Sequence, residues 1–197
     1  NGQNCIILYG GTNQMMTKEF MDDVLEDFAE GDYLILQNEI NLLDYLIDRA
    51  YEKKMKIVLN PSPYDKKLEA CDLKKIYLFL LNEIEGEQFT GSAEPDKILD
   101  YLAKEYPQSR FVLTLGSNGS IYFDGKEKIR QDIFPVKPVD TTAAGDTFTG
   151  FFLASLFRGE DVQTALRVAA RAASIAVSRA GATSSIPMIS EVRDAEI

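Results

Sequence analysis

Histidine does not occur in the 197 residues. Its absence removes Ser-His-Asp and Cys-His nucleophile systems, histidine zinc sites and every imidazole general base. Acid–base chemistry then falls mainly to carboxylates, with lysine and tyrosine as outside candidates. Cysteine is scarce. Cys5 and Cys71 cannot make a zinc site alone, and each sits beside apolar sequence, as reduced core or near-core thiols do. Long apolar runs are missing too: none reaches membrane-spanning length, and no basic-then-apolar leader opens the chain. The expectation is a cytoplasmic protein with no membrane partner. Basic residues are outnumbered, 21 Lys and Arg against 31 Asp and Glu, for a net charge of −10. That balance argues against nucleic-acid binding, which relies on phosphate neutralisation by basic side chains. A small phosphorylated ligand held by backbone N–H groups is not excluded.

What is present is ordinary globular sequence, 45% hydrophobic and 26% charged, long enough to bury a core without covalent staples. Residue 1 is Asn, and an apolar run, residues 5–9, follows almost at once. The expectation is a segment of a longer protein, with 1–197 forming a single domain.

Strand, turn and helix alternate along the chain. Strands are expected at residues 5–8, 33–36, 56–59, 76–81 and 111–115, each rich in aliphatic side chains. A helix capped by Thr17 is expected to run to about residue 29, with Phe20, Val24, Leu25 and Phe28 at helical spacing. Asn41 is expected to cap a second, carrying Leu42, Leu43, Leu46, Ile47 and Ala50. Glu94-Pro95 opens a third, to about residue 106. Asp124-Gly125 between apolar runs signals a hairpin. Two helices follow, at about 145–158 and 162–177, the second rich in alanine. The whole reads as an α/β fold with a mainly parallel central sheet and an antiparallel appendage. Ligands in such sheets bind beyond the carboxyl ends of the strands. That directs attention to the loops at 37–39, 60–64, 82–85, 116–119 and 140–146.

The last of these, Asp140-Thr141-Thr142-Ala143-Ala144-Gly145-Asp146, is polar, then small, then acidic, and it enters a helix. Small residues let a ligand approach the backbone, and unpaired N–H groups of a first helical turn favour an anion. A carboxylate there can take a proton from a hydroxyl while the amides hold negative charge, which suits phosphoryl transfer to an alcohol. The alternative is that Asp146 merely caps the helix. Standard phosphate loops do not fit. Gly119 to Lys126 has one residue too many between its glycines and no Ser or Thr after the lysine, and there is no G-x-G-x-x-G.

The segment from Asp140 to Phe148 resembles the second signature of the ribokinase-like (pfkB-type) carbohydrate kinases. Asn60-Pro61-Ser62-Pro63 is similar to that family's Asn-Pro turn, Asn82-Glu83-Ile84-Glu85 to its N-x-x-E motif, and Thr114 to Gly119 to its nucleotide loop. Gly181 to Pro187 is similar to the segment closing its monovalent-cation site, and Gln37-Asn38-Glu39 to its sugar-contact segment. The motifs occur in family order along nearly the whole chain, with the ribokinase subgroup the best match. The family's first third, with its early strands and β-sheet lid, has no counterpart. The resemblance therefore implies a Rossmann-like ribokinase-type sandwich lacking the N-terminal strands and lid, the C-terminal two-thirds of a kinase, with 1–197 a single α/β nucleotide-binding domain.

The implied reaction is ATP-dependent phosphorylation of a sugar hydroxyl, ribose to ribose 5-phosphate. By resemblance Asp146 is the general base, and Ala143, Ala144 and Gly145 form the anion hole. Asn82 contacts the nucleotide phosphates and Glu85 organises Mg²⁺ through water. Thr114, Leu115, Gly116, Ser117, Asn118 and Gly119 line the nucleotide together with Gly145, and Glu39 touches the sugar. Asp140, Thr142, Ala176, Arg179, Gly181 and Ser185 resemble the K⁺ site, although Arg179 adds a positive charge there. Ala170 stands where relatives often carry a larger polar residue near the base. Implied ligands are ATP, Mg²⁺, K⁺ and a small sugar, and a homodimeric parent is a further expectation. A non-catalytic nucleotide-binding module, or an inactive kinase fragment, is the competing reading. Without the resemblance, Asn82 reads as a capping residue and Glu85 as a solvated acid.

Overall fold

A computed structural model describes residues 9–194, so the expected strand at 5–8 and Cys5 lie outside the described residues. The chain divides into two compact units, Asn1–Phe79 and Leu80–Ile197.

In the first unit, helix α1 (Lys18–Glu26) starts where expected, with Thr17 Oγ1 accepting the Phe20 N–H at 3.2 Å. It ends three residues early. The Asp32 carboxylate accepts the Ala29 N–H at 2.8 Å, and Gly31 turns the chain at φ 92°. The packed seam is also displaced from the expected one. Met21 and Leu25 are buried, whereas Phe20, Val24 and Phe28 are 55%, 44% and 42% exposed. All five lie on one broad apolar arc, and the core takes only its Met21–Leu25 line.

Strand β1 (Tyr33–Gln37) leads to α2 (Leu43–Glu52), which buries Leu43, Leu46, Ile47 and Ala50 as its spacing predicts. Asn41 does not cap it. The N-cap is Leu42, left-handed at φ 56°. The Asn41 carboxamide instead pairs with the Met16 backbone, accepting its N–H at 3.0 Å and donating to its carbonyl at 2.9 Å. A carboxamide carries a donor and an acceptor side by side, so it can mimic a peptide group. Strand β2 (Lys56–Asn60) pairs parallel with β1 from Tyr33↔Lys56 to Gln37↔Asn60, and β3 (Leu78–Asn82) pairs parallel with β2. Cys71 is half-buried and reduced, and burial, with Asp44 and Asp48 nearby, pushes its thiol up to about 11. An inert thiol follows.

The second unit takes over at the end of β3. Helix α3 (Glu83–Thr90) begins within the loop expected at 82–85, and it packs closely on α4 (Pro95–Glu105). A Cβ on Gly86 would meet the Ile98 side chain at 3.0 Å. Strands β4 (Arg110–Thr114), β5 (Ser120–Phe123) and β6 (Lys128–Gln131) are antiparallel neighbours. The hairpin at Asp124-Gly125 forms, with a longer loop than the dipeptide alone predicts. Phe123 pairs with Lys128, because the Asp124 carboxylate ties down the N–H groups of Lys126 and Glu127 at 2.9 and 2.8 Å. Helices α5 (Ala144–Phe157), α6 (Val162–Val177) and α7 (Ile189–Asp194) complete the chain. Phe152 of α5 and Ala165, Leu166, Ala169 and Ala172 of α6 are fully buried. The strands follow the order β1-β2-β3-β4-β5-β6 in one sheet, parallel from β1 to β3 and antiparallel from β4 to β6. Among the described residues no helix is long and apolar enough to cross a membrane.

Candidate active site

The site is built on three chain turns of the second unit. The first follows β4. Gly116 at φ 52° and Gly119 at φ 83° bracket a short 3₁₀ turn, closed by the Leu115 N–H donating to the Gly119 carbonyl at 2.8 Å. Only glycine fits at 119, because a Cβ there would lie 2.1 Å from the Gln131 carbonyl oxygen.

The second turn enters α5. Its N-cap, Ala143, is left-handed at φ 60° with no side-chain cap. Non-glycine residues rarely adopt that conformation, and backbone strain of this kind gathers at functional sites. The Ala144 N–H donates to the Thr141 carbonyl at 3.3 Å, so one of the three expected anion-hole amides is already engaged. Among the described residues the Ala143, Gly145 and Asp146 N–H groups meet no acceptor. Asp146 is therefore not the N-cap. It stands in the first turn, exposed, and its carboxylate makes no hydrogen bond or ion pair among the described residues. Thr147 behind it is buried and donates its hydroxyl to the Ala143 carbonyl at 2.8 Å, which fixes the turn.

The third turn is the start of α3. Asn82 Oδ1 accepts the Glu85 N–H at 2.9 Å, and Glu85 Oε2 accepts the Asn82 N–H at 3.0 Å, a reciprocal capping box. Glu85 is buried at 7% exposure, not solvated, and its Oε1 carries no hydrogen bond among the described residues. The turn lies near the Gly116 loop, since a Cβ on Gly116 would sit 3.6 Å from Glu83 Oε1.

Between the first two turns opens a cavity of about 510 Å³. Of the residues expected at the nucleotide, Thr114, Gly116, Ser117, Gly119 and Gly145 line it, and so do Ala144 and Ala170. Leu115 and Asn118 do not. Leu115 turns into the core, and Asn118 faces solvent. The sequence reading missed the apolar wall: Ile133, Phe134, Val136 and Pro138 after β6, Phe148 on α5, and Ala173, Ser174 and Val177 on α6. Nothing in the local pattern of 133–138 marks it as ligand-facing, since its proline-punctuated apolar residues read as a strand end.

The residues expected to hold a monovalent cation are partly gathered. Asp140 accepts the Thr142 N–H at 2.9 Å and hydroxyl at 2.7 Å, and the Gly181 N–H at 3.1 Å. The Thr142 hydroxyl first, then the two N–H groups, hold the Asp140 carboxyl below the ordinary aspartate range. The Arg179 guanidinium is drawn to Glu191 at 2.6 Å, so its charge is neutralised. The Ala176 carbonyl accepts the Arg179 N–H, and the buried Ser185 hydroxyl donates to the Ala182 carbonyl at 2.6 Å. Among the described residues no three acidic or cysteine side chains cluster as metal ligands. Glu39 belongs to the first unit, in the exposed turn after β1, where its carbonyl accepts from Gln14 Nε2 at 2.8 Å.

The sequence pattern of the pfkB family carbohydrate kinases matches residues 1–189. A ribokinase of Bacillus subtilis is 32% identical over 195 residues, covering 98% of this chain and 64% of its own length. Among solved structures, ribokinase from Thermotoga maritima superposes with a TM-score of 0.83 at 31% identity, over 98% of this chain and 65% of that one. Arabidopsis thaliana ribokinase, solved with ribose and ATP, gives 0.80 at 30% identity, over 98% and 65%. The chain thus spans slightly less than two thirds of these relatives.

Proposed function

This chain belongs to the pfkB family of carbohydrate kinases, and from that premise we propose that it is the nucleotide-binding portion of a longer, cytoplasmic, ATP-dependent sugar kinase whose substrate is ribose. The observation that carries the proposal is the α5 entrance. There an exposed, unbonded Asp146 carboxylate stands beside the unpaired Gly145 and Asp146 amides, at the rim of a cavity sized for a nucleotide.

In the proposed reaction the Asp146 carboxylate takes the proton from the sugar hydroxyl. The hydroxyl oxygen bonds to the γ-phosphorus, and the bond from that phosphorus to the β–γ bridging oxygen breaks, releasing ADP. The Ala143 and Gly145 amides face the charge that develops, and their fixed positions avoid reorganisation during transfer. Glu39 is a proposed sugar contact. Mg²⁺ commonly keeps several waters and takes few protein carboxylates, which suits a site offering only the free Oε1 of Glu85 with Asn82 beside it. When bound, it neutralises phosphate charge. Asp140, Thr142 and Gly181, with the carbonyls of Ala176 and Arg179 and with Ser185, are the proposed K⁺ surroundings. The Arg179–Glu191 pair removes the competing positive charge.

The test is ADP release from the longer protein at saturating Mg-ATP, with ribose as acceptor and K⁺ exchanged for Na⁺. Ribose-dependent release, faster in K⁺, is expected. Nucleotide binding without release on any sugar would leave only a binding module.

A further inference from the structure

From the end of β6 to Asp140 the chain forms a strap along α6, without regular structure. Its two ends are fastened to that helix. Gln163 Nε2 donates to Gln131 Oε1 at 3.3 Å, and the Val139 and Asp140 N–H groups both donate to the Val177 carbonyl, at 2.9 and 3.2 Å. Among the described residues the backbone of 133–138 makes no hydrogen bond, and Pro135 and Pro138 have no N–H to offer. Yet this segment supplies Ile133, Phe134, Val136 and Pro138 to the cavity wall. Arg171 of α6 holds its middle. The guanidinium lies over the Phe134 ring, 5.7 Å from the centroid. Arg171 is half-buried, its Nε is buried with no hydrogen-bond partner, and among the described residues no carboxylate pairs with it. Taking a guanidinium partly out of water without an acceptor is costly, and the negative face of an aromatic ring offsets part of that cost.

Resting on the nucleotide reading above, we propose that Arg171 is a positioning residue for the base of the bound nucleotide. It does not line the cavity and does not touch the ligand. Its guanidinium clamps the Phe134 ring, and the ring is the wall on which the base stacks. Stacked flat rings need a defined plane. A strap with no backbone bonds of its own would have to be ordered when the ligand arrives, and a ring already held avoids that cost. Arginine suits the task, because its planar, permanently charged and weakly hydrated head stacks on aromatic faces. The phosphates are assigned to the α5 entrance and gain nothing from the clamp.

Titration calorimetry of the 197-residue chain with Mg-ATP, and with Mg-tripolyphosphate as a probe that has phosphates but no base, tests this. Arg171→Gln removes the charge and keeps the stem. It should weaken Mg-ATP by about two- to tenfold and leave Mg-tripolyphosphate unchanged. Equal loss for both probes, or no loss for Mg-ATP, overturns the clamp. Phe134→Leu should also weaken Mg-ATP, and the double variant should bind no more weakly than Phe134→Leu alone, since the charge acts only through the ring. Additive losses overturn that coupling, and this comparison decides the matter even where tripolyphosphate binds too weakly to measure. Arg171→Ala replaces Arg171→Gln should the latter fail to fold by circular dichroism. Wild-type binding of Mg-ATP that neither Arg171 variant alters overturns the clamp alone. No wild-type binding of Mg-ATP overturns the nucleotide reading, and the clamp with it.

Discussion

Asp146 is the side chain on which the proposed chemistry turns. Its neighbours in the helix entrance are small and its carboxylate is unbonded, so Asp146→Asn changes charge and proton affinity with little effect on packing. In the longer kinase proposed above, that variant should lower kcat by about 10²–10⁴, with ATP affinity nearly unchanged, in a steady-state ADP-release assay. Near wild-type turnover would remove Asp146 from its role. The sequence drew attention to this position because the motif around it is compact and continuous. Other single residues were not so legible. Asn41 looks like a helix cap, yet its carboxamide serves the Met16 backbone, 25 residues away. Phe134 and Val136 gave no signal, because they face the cavity only once the segment after β6 is laid against α5 and α6.

Among the elements, α3 depends on the Asn82–Glu85 box. Both residues are proposed to serve the nucleotide, so the cap and the ligand contact draw on the same two side chains. Asn82→Ala should cost about 0.5–2 kcal/mol in urea unfolding, the usual value of a lost N-cap, and should weaken Mg-ATP binding in the same protein. Stability unchanged would mean that the box does not hold the helix. In the first unit α1 is tied to α2 through Asp22, which accepts the Tyr45 hydroxyl at 2.6 Å and Arg49 Nε at 2.8 Å. The Tyr45 hydroxyl first, then Arg49, lowers the Asp22 carboxyl from its ordinary value. A depressed carboxylate contributes stability that is fully present above the ordinary aspartate range and is lost as pH falls through the folded value. Wild-type urea midpoints should therefore fall on acidification below that range, and Asp22→Asn should show a smaller fall; equal slopes would dissociate Asp22 from acid sensitivity. Helix positions were largely visible from 3.6-residue spacing. Their ends and buried faces were less so, because turns such as Gly31-Asp32 and the choice of packed line in α1 depend on neighbours elsewhere in the chain.

For the molecule as a whole, alternating strands and helices announced the α/β class, and the ordered motifs announced the family. The division at residues 79 and 80 was not visible, since it falls inside β3, where the sequence is uninterrupted. The proposed nucleotide contacts lie between Asn82 and Asp146 in the second unit, whereas only Glu39 and Asp146 are assigned to the sugar. The 197-residue chain on its own should therefore bind Mg-ATP weakly and hydrolyse it slowly, with no appreciable ribose-dependent ADP release; robust ribose-dependent turnover would mean that the chain, or its self-assembly, completes a sugar site. Hydrogen exchange of the chain with and without Mg-ATP addresses the nucleotide site most directly. Slower exchange is expected at Gly116 and Ser117 and at Gly145 and Asp146, whose N–H groups meet no backbone acceptor among the described residues and would gain phosphate acceptors. Unchanged exchange at these amides under saturating nucleotide, or protection confined to the first unit, would contradict a nucleotide site at the α5 entrance.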